Sequence, residues 1–447
     1  MNVLTLSCLA QSKSIRLFGN SMGDECHAVA VTRGGSTIIS GQSNSSSLYF
    51  DPDDNYQFCG FVMMLDKKFN PKWRYNISDR KQSFYEAQIT ALDVSSEGFI
   101  FGAGCSSGRQ GDFIGMSKGH EDVAIVKFDT TGRIIFRKTL GGTGSERAKH
   151  LVCTDDGGAV ISGLTASLSD DFALNGVTGR LDFHSTHDVF VVKIDRNGGI
   201  EWKHVFRDIG VESNPTCSVA SDGSVYLTCT GYNAFSVFST KSCGMYACEA
   251  AFAIKIHRDG EIAWTRRLCD LGYCSRAEAM TVTIDNGLVI AGSYRTEPTD
   301  IEDTTYRMRS GLLVSKIDSS GNVAWQKRYD CNTDARCISQ LRDGTFILTG
   351  CTNSPSPVFP RGIRGRHDIA LIKFNDRGEI IKSKLYGGRG YDCVRWHTNV
   401  GNRRIRIIGI TQPDSGDPLN DGIFFDLGRG GESDIFILDV DAELELQ

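Results

Sequence analysis

The stretch DVFVVKIDRNGGIEWKHVF, residues 188–206, decides the fold. An apolar, largely β-branched run ends in Asp195, a turn DRNGG follows, and the chain then enters a second strand carrying Trp202. That is the pattern of a short hairpin whose second strand buries its aromatic residue. The same text recurs along the chain: FVMMLD at Asp66, AIVKFD at Asp129, FVVKID at Asp195, FAIKIH at His257, LVSKID at Asp318, ALIKFN at Asn375 and FILDVD at Asp441. The seven landmarks are spaced 63, 66, 62, 61, 57 and 66 residues apart, in the range of long propeller repeats. Seven residues after each stands a large side chain: Trp73, Phe136, Trp202, Trp264, Trp325 and then Lys382.

A second fixed distance runs from a turn position (Gly34, Glu97, Asp156, Asp222, Asp285, Asp343, Asn402) to the residue seven further on. Those residues are Gly41, Gly104, Gly163, Cys229, Gly292, Gly350 and Gly409, and the text between is apolar and β-branched. Each unit therefore reads as four strands with two tight hairpins and one longer connection, one blade of a propeller. The expected fold is all-β, a seven-bladed β-propeller of four-stranded antiparallel blades filling residues 1–447 as a single domain. The blades fall at about residues 19–77, 78–140, 141–206, 207–268, 269–329, 330–386 and 387–447 plus 3–18.

The last assignment comes from ring closure. Seven residues after Asp441 is position 448, one beyond the final residue, and the slot counted back from Gly34 falls at Ser14. A strand within Val3 to Phe18 is expected to complete the seventh blade, leaving no open edge at the join.

The connection from the glycine position to the landmark varies, at 25, 25, 32, 28, 26, 25 and 32 residues. All seven emerge on one face, and variable loops on a rigid scaffold are where binding usually resides. The first blade's loop is acidic (Asp51, Asp53, Asp54), as is the fifth's (Glu297, Asp300, Glu302, Asp303), whereas the sixth's is basic (Arg361, Arg364, Arg366). These are either a solvated rim or a bipolar docking surface for a protein partner. Asp122, Asp188, Asp368 and Asp434 stand seven residues before their landmarks. A calcium ring could use them, but carboxylates beginning strands ordinarily cap backbone amides, which is the expected role. In DFHSTHD, the residues Asp182, His184, His187 and Asp188 are the candidate metal ligands, an isolated cluster with its histidines three residues apart on one loop. His27, His150, His204, His257 and His397 read as packing residues. Gly141-Gly142-Thr143-Gly144 and Gly387-Gly388-Arg389-Gly390 lack the lysine and helix of a phosphate loop, and their repeat position marks them as blade-to-blade turns. No nucleophile stands in a recognisable catalytic constellation, and no cofactor is expected.

Composition agrees with short strands and many turns: 49 glycines against 9 prolines, with 40% hydrophobic and 23% charged residues. A net charge of −5 gives no pull toward nucleic acid or anionic lipid. No apolar run reaches membrane-spanning length, and the first residues lack the basic and apolar segments of a signal peptide. The fifteen cysteines show no zinc-type spacing and mostly read as reduced core residues, pointing to a reducing cytoplasm, with Asn44 and Asn76 as glycosylation sequons pointing the other way.

CTDDGGAVISGLTASLSDD, GGTGSER and HDVFVVKIDRNGGIEWKHVF together resemble the β-propeller repeats of bacterial and some protist proteins, in which a DGG turn precedes an apolar strand ending in glycine and V-K-x-D-x-x-G-x-x-x-W follows. The likeness covers nearly the whole chain and is weakest where Cys229 and Lys382 depart from it. It implies the fold, with binding or scaffolding commoner than catalysis, and transfers no catalytic residue. The functional expectation is a non-enzymatic interaction module within a multi-protein assembly, cytoskeletal or ciliary by guess. The alternative is an exported carbohydrate-binding or hydrolytic propeller.

Overall fold

Asp188–Ile194 pairs antiparallel with Ile200–Phe206, placing Lys193 opposite Trp202. The hairpin belongs to a four-stranded sheet whose other members are Glu146–Cys153 and Ala159–Thr165. The structure, a computed structural model, describes residues 15–18, 24–43, 59–77, 87–109, 111–167, 169–173, 187–206, 215–231, 249–268, 273–296, 310–401, 403–412 and 433–447. Seven such sheets form the blades of an all-β propeller. In blade five the inner strand comes in two pieces, Tyr273–Ser275 and Ala279–Val282, both paired with Leu288–Thr296.

The inner strands touch their neighbours around the whole ring. Asp24–Val31 of blade one packs against both Ala87–Val94 of blade two and Tyr391–Val400 of blade seven. The apolar core lies between blades rather than at one centre, with clusters joining, for example, Ile38 and Val62 of blade one to Ile89 and Phe128 of blade two. Blade seven has the order expected from the landmark spacing: Ile15–Phe18 pairs with Asp434–Asp441, in the register Ile15↔Leu438 to Phe18↔Ile435.

The recurrent aromatic residues are half-buried rather than buried, because one ring face leans on the neighbouring blade. Trp202 Nε1 donates to Arg258 O at 3.0 Å, just past the next blade's landmark. Its ring lies against Gly260, whose φ is +95° and whose Cβ, were there one, would stand 2.8 Å from the indole. A side chain there would be strained by the backbone and stopped by the ring. Trp73, Trp264 and Trp325 make the equivalent bonds to Thr130, Ser319 and Asp376 carbonyls at 3.1, 3.1 and 2.8 Å. Phe136 has no N–H, and Lys127 Nζ instead reaches the corresponding carbonyl of Arg196 at 2.9 Å. Where Lys382 replaces the aromatic, the glycine position of the next turn is Leu444, at φ 58° and fully buried. Phe69 holds that position in blade one, at φ 64°, after the seventh blade's Ser14 slot, which lies outside the described residues. At the junction of blades six and seven, the departure of Lys382 from the aromatic therefore coincides with the departure of Leu444 from glycine.

The glycine seven residues after each turn position has a separate cause. Gly104 faces a register shift between Ile89 and Ala91, and a Cβ on it would stand 1.8 Å from Gln88 O. The same shift occurs across from Gly41, Gly163, Gly350 and Gly409. Each is a β-bulge that leaves one inner-strand residue outside the ladder: His27, Thr90, Lys149, Arg336 and Arg395. In blade four the equivalent residue is Pro215, and pairing begins after it, at Thr216↔Thr228. Cys229 therefore has no bulge to meet and tolerates its side chain.

Deleting residues 1–18 removes the strand Ile15–Phe18 and opens the Asp434–Asp441 edge. The truncated protein is expected to aggregate or to melt without cooperativity. Size-exclusion chromatography and a thermal melt check this, and a monomer with the full-length Tm would refute the closure.

Candidate functional site

The long loops described in blades two, three and six share an anchor. Phe113, Phe172 and Phe359 each stand nine residues after the strand glycine and are 1%, 0% and 4% exposed. Beside each Phe the loop also bonds the outer strand of its own blade: Thr139 Oγ1 donates to Met116 O at 2.8 Å, Lys203 Nζ to Asp171 O, and Ser383 Oγ to Val358 O. The sequence signal for this anchor is the constant nine-residue spacing, which Phe50 and Phe238 also obey within segments outside the described residues.

Beyond Phe359 the blade-six loop presents Arg361, Arg364 and Arg366, all exposed and none in an ion pair among the described residues. Their backbone is fixed even though their side chains are free. Arg364 N donates to Asp368 Oδ2 at 2.9 Å, and Arg366 N to Gly390 O at 2.9 Å in the next blade. Arg361 and Arg364 line a groove of about 680 Å³ at the rim between blades six and seven. Its other walls are the outer strand Ile380–Tyr386 and the turn at Glu445. Lys384 and Lys382 bond Glu445, the latter at 3.4 Å, and Tyr386 is buried with its hydroxyl on Leu444 O at 2.6 Å. Among the described residues, four cations line the groove against the Glu445 carboxylate; Lys382 also reaches Glu443 at 3.8 Å, and the two guanidiniums make no ion pair.

The other expected site residues are placed as follows. Asp51, Asp53, Asp54, Glu297, Asp300, Glu302 and Asp303 lie outside the described residues, so the acidic half of the expected bipolar surface has no described counterpart to the arginines. Asp182 and His184 also lie outside them. His187 is half-buried, and Asp188 begins a strand opposite Thr165. Among the described residues no three His, Cys, Asp or Glu side chains gather as a metal site. Asp122 and Asp368 cap backbone amides, accepting from Lys118 N and Arg364 N at 2.9 Å each. The amides of Gly141, Gly142, Thr143 and Gly144 are taken by Asp171, Glu146, Ser169 and Ser167 side chains, so this turn keeps no free donors for a phosphate. Cysteine reading missed one feature: Cys351 of blade six and Cys393 of blade seven form a disulfide, while Cys26, Cys105, Cys153, Cys217, Cys229, Cys331 and Cys337 are free.

No family model matches the chain. The regulatory protein FlaEY of Caulobacter vibrioides is 26% identical over 303 residues, 67% of this chain. The matched region spans only 28% of that relative's length. Virginiamycin B lyase of Staphylococcus aureus is 10% identical, covering 95% of this chain and 98% of its own, with a TM-score of 0.48. A protein of unknown function from Dyadobacter fermentans is 8% identical, covering 96% and 98%, with a TM-score of 0.46.

Beside the arginine loop, two buried carboxyls share the space around Gly387, whose Cβ would lie 2.7 Å from Asp368 Oδ1 and 3.0 Å from Asp392 Oδ2. Burial pushes Asp392 up to about 6, and the Asp368 charge adds to that. A carboxyl held above its unfolded value contributes stability that is present below the unfolded pKa near 4 and is lost as pH rises through the folded pKa near 6. Asp392→Asn keeps an acceptor for Gly388 N and removes the buried charge, so it should raise Tm at pH 7 by an amount equivalent to roughly 1–3 kcal/mol. Thermal melts from pH 4 to pH 7 check the sign: the gain should shrink toward pH 4, and an equal effect at all pH values would contradict it.

Proposed function

We propose that this chain is a non-catalytic protein-interaction module that holds an acidic, extended segment of another protein in the groove between blades six and seven, within a larger assembly. The observation that carries the reading is the set of three exposed, unpaired arginines on a loop whose backbone is fixed by Phe359, Asp368 and Gly390. A rigid base lowers the ordering cost of binding, and guanidiniums pair with carboxylates in two-point fashion. The groove supplies both an apolar wall, from Pro360 and Leu446, and a cationic rim. A regulatory relative accords with a protein that acts by binding rather than by chemistry. The probe is a decaglutamate peptide. It should bind at low salt and weaken steeply as salt rises, and Arg361→Glu combined with Arg364→Glu and Arg366→Glu should cost about tenfold or more in affinity. Equal binding by the wild type and the triple variant would overturn the reading.

The proposed setting is a reducing cytoplasm. The Cys351–Cys393 bond is the observation that favours the exported alternative, a carbohydrate-binding or hydrolytic propeller. Thiol titration of the denatured protein without reductant separates them. Thirteen to fifteen free thiols of the fifteen cysteines fit the cytoplasmic module, since one bridge removes two, and a count well below thirteen fits export.

A further inference from the structure

In five blades the inner-strand bulge leaves one residue outside the ladder, and the residue types found there are unexpected for a structural core. Lys149 of blade three, Arg336 of blade six and Arg395 of blade seven are bulge residues that line one central cavity of about 390 Å³. Lys149 and Arg395 make no ion pair or hydrogen bond among the described residues. Arg336 has only Asp334 at 3.7 Å, on its own strand, and its Nε is buried without a partner. Arg276, which also lines the cavity, is by contrast neutralised outside it by Glu249, through bonds of 2.5 and 2.6 Å.

Two carboxylates line the same cavity, Asp334, which lies at 3.7 Å from Arg336, and Glu278, whose oxygens are committed to other donors. Glu278 of blade five accepts from Ala335 N at 3.2 Å and Ser293 Oγ at 3.3 Å. Burial, and then the neighbouring Asp334 charge, raise it to about 7, so it is only partly ionised at neutral pH. For His27, the bulge residue of blade one, burial and secondarily the Arg395 charge push the imidazole down to about 4. Across the cavity, the His150 ring of blade three meets the Trp396 ring of blade seven at 4.9 Å, giving the chamber an aromatic wall beside its cations. Confined like charges without a counterion are costly, and a bound anion relieves that cost.

We propose that the central channel is a binding site for a small organic anion carrying carboxylate or phosphoryl oxygens, held by Lys149, Arg336 and Arg395 against the Trp396–His150 wall. The cavity is within the size range of small-ligand sites and larger than a bare phosphate needs. The surface arginines of blade six play no part, so this site is independent of the groove.

The test uses the full-length protein with citrate and inorganic phosphate as probes, by isothermal titration calorimetry and thermal shift. Citrate is expected to bind and to raise Tm, and stronger binding of phosphate than of citrate would place the phosphoryl class first. Arg395→Met and Lys149→Met should each weaken binding about tenfold or more, while Arg395→Lys retains part of it. Without added anion, the two methionine variants should melt at or above the wild-type temperature, because each removes an uncompensated charge. Their decaglutamate binding should be unchanged, which separates a failed channel from a failed groove. Wild-type protein that binds neither probe at millimolar concentration, or methionine variants that bind as the wild type does, would overturn the proposal.

Discussion

An indole lying on the next blade's glycine, with its N–H on that blade's turn carbonyl, is the contact on which the ring depends. Main-chain bonds join neighbouring blades at isolated points, such as Glu146 N to Glu121 O at 2.6 Å and Asp392 N to His367 O at 3.0 Å, and side chains that cross the gap add to them in setting the angle between blades. The Trp202 contact to Gly260 and Arg258 O combines a steric stop with a directional bond, and so fixes both distance and orientation. Lysines reinforce it from the adjacent strand. Lys255 Nζ meets Ser319 O at 3.2 Å, the same carbonyl that Trp264 uses. At the seventh-to-first junction, Arg406 pairs with the buried Asp439 at 2.6 to 2.7 Å and stacks over Phe69 at 4.6 Å. The same mechanical task is thus performed there by a different set of residues.

With blade positions fixed this way, the parts left free to vary are the loops on one face and the bulge residues at the axis. The loops are anchored by Phe113, Phe172 and Phe359, so their tips can carry charge without disturbing the core. The bulge residues sit outside the ladder, and where their chemistry allows they bond across blades, as Thr90 Oγ1 does to Ala148 O at 2.8 Å. The bulge residues His27, Thr90, Lys149, Arg336 and Arg395, with Pro215 and Glu278 at the corresponding places in blades four and five, differ in charge and size.

The fold was legible because steric needs recur at fixed spacing. The positive-φ glycine that takes the neighbouring aromatic lies three residues after the landmark, and the bulge glycine lies seven after the turn. Both spacings survive substitution elsewhere, and even Cys229 and Lys382 proved consistent once Pro215 and Leu444 were seen beside them. What escaped reading depended on space rather than spacing. That Trp202 is half-buried follows from the next blade's shape, invisible within one repeat. Cys351 and Cys393 are 42 residues apart among fifteen cysteines, with nothing local to pair them. The channel cations were hidden because their position is constant while their chemistry is not. Of the expected docking residues, Arg361 and Arg364 line a groove while Arg366 lies outside it, and what was readable from the sequence was only their basic character and their place on a loop.

The join between Ile15–Phe18 and Asp434–Asp441 has a consequence in time as well as in space. The first strand of the sheet is made early, but Leu438, the partner of Ile15, leaves the ribosome only after every other blade. At typical synthesis rates of about 5–20 residues per second, the interval is on the order of 20–80 s. Throughout it, a growing arc of blades carries an unsealed apolar flank at each end, and the segment that will seal it is already present and unpaired. Selection on those few residues therefore acts on their behaviour while waiting, through solubility and reluctance to pair wrongly, as much as on the bond they finally make.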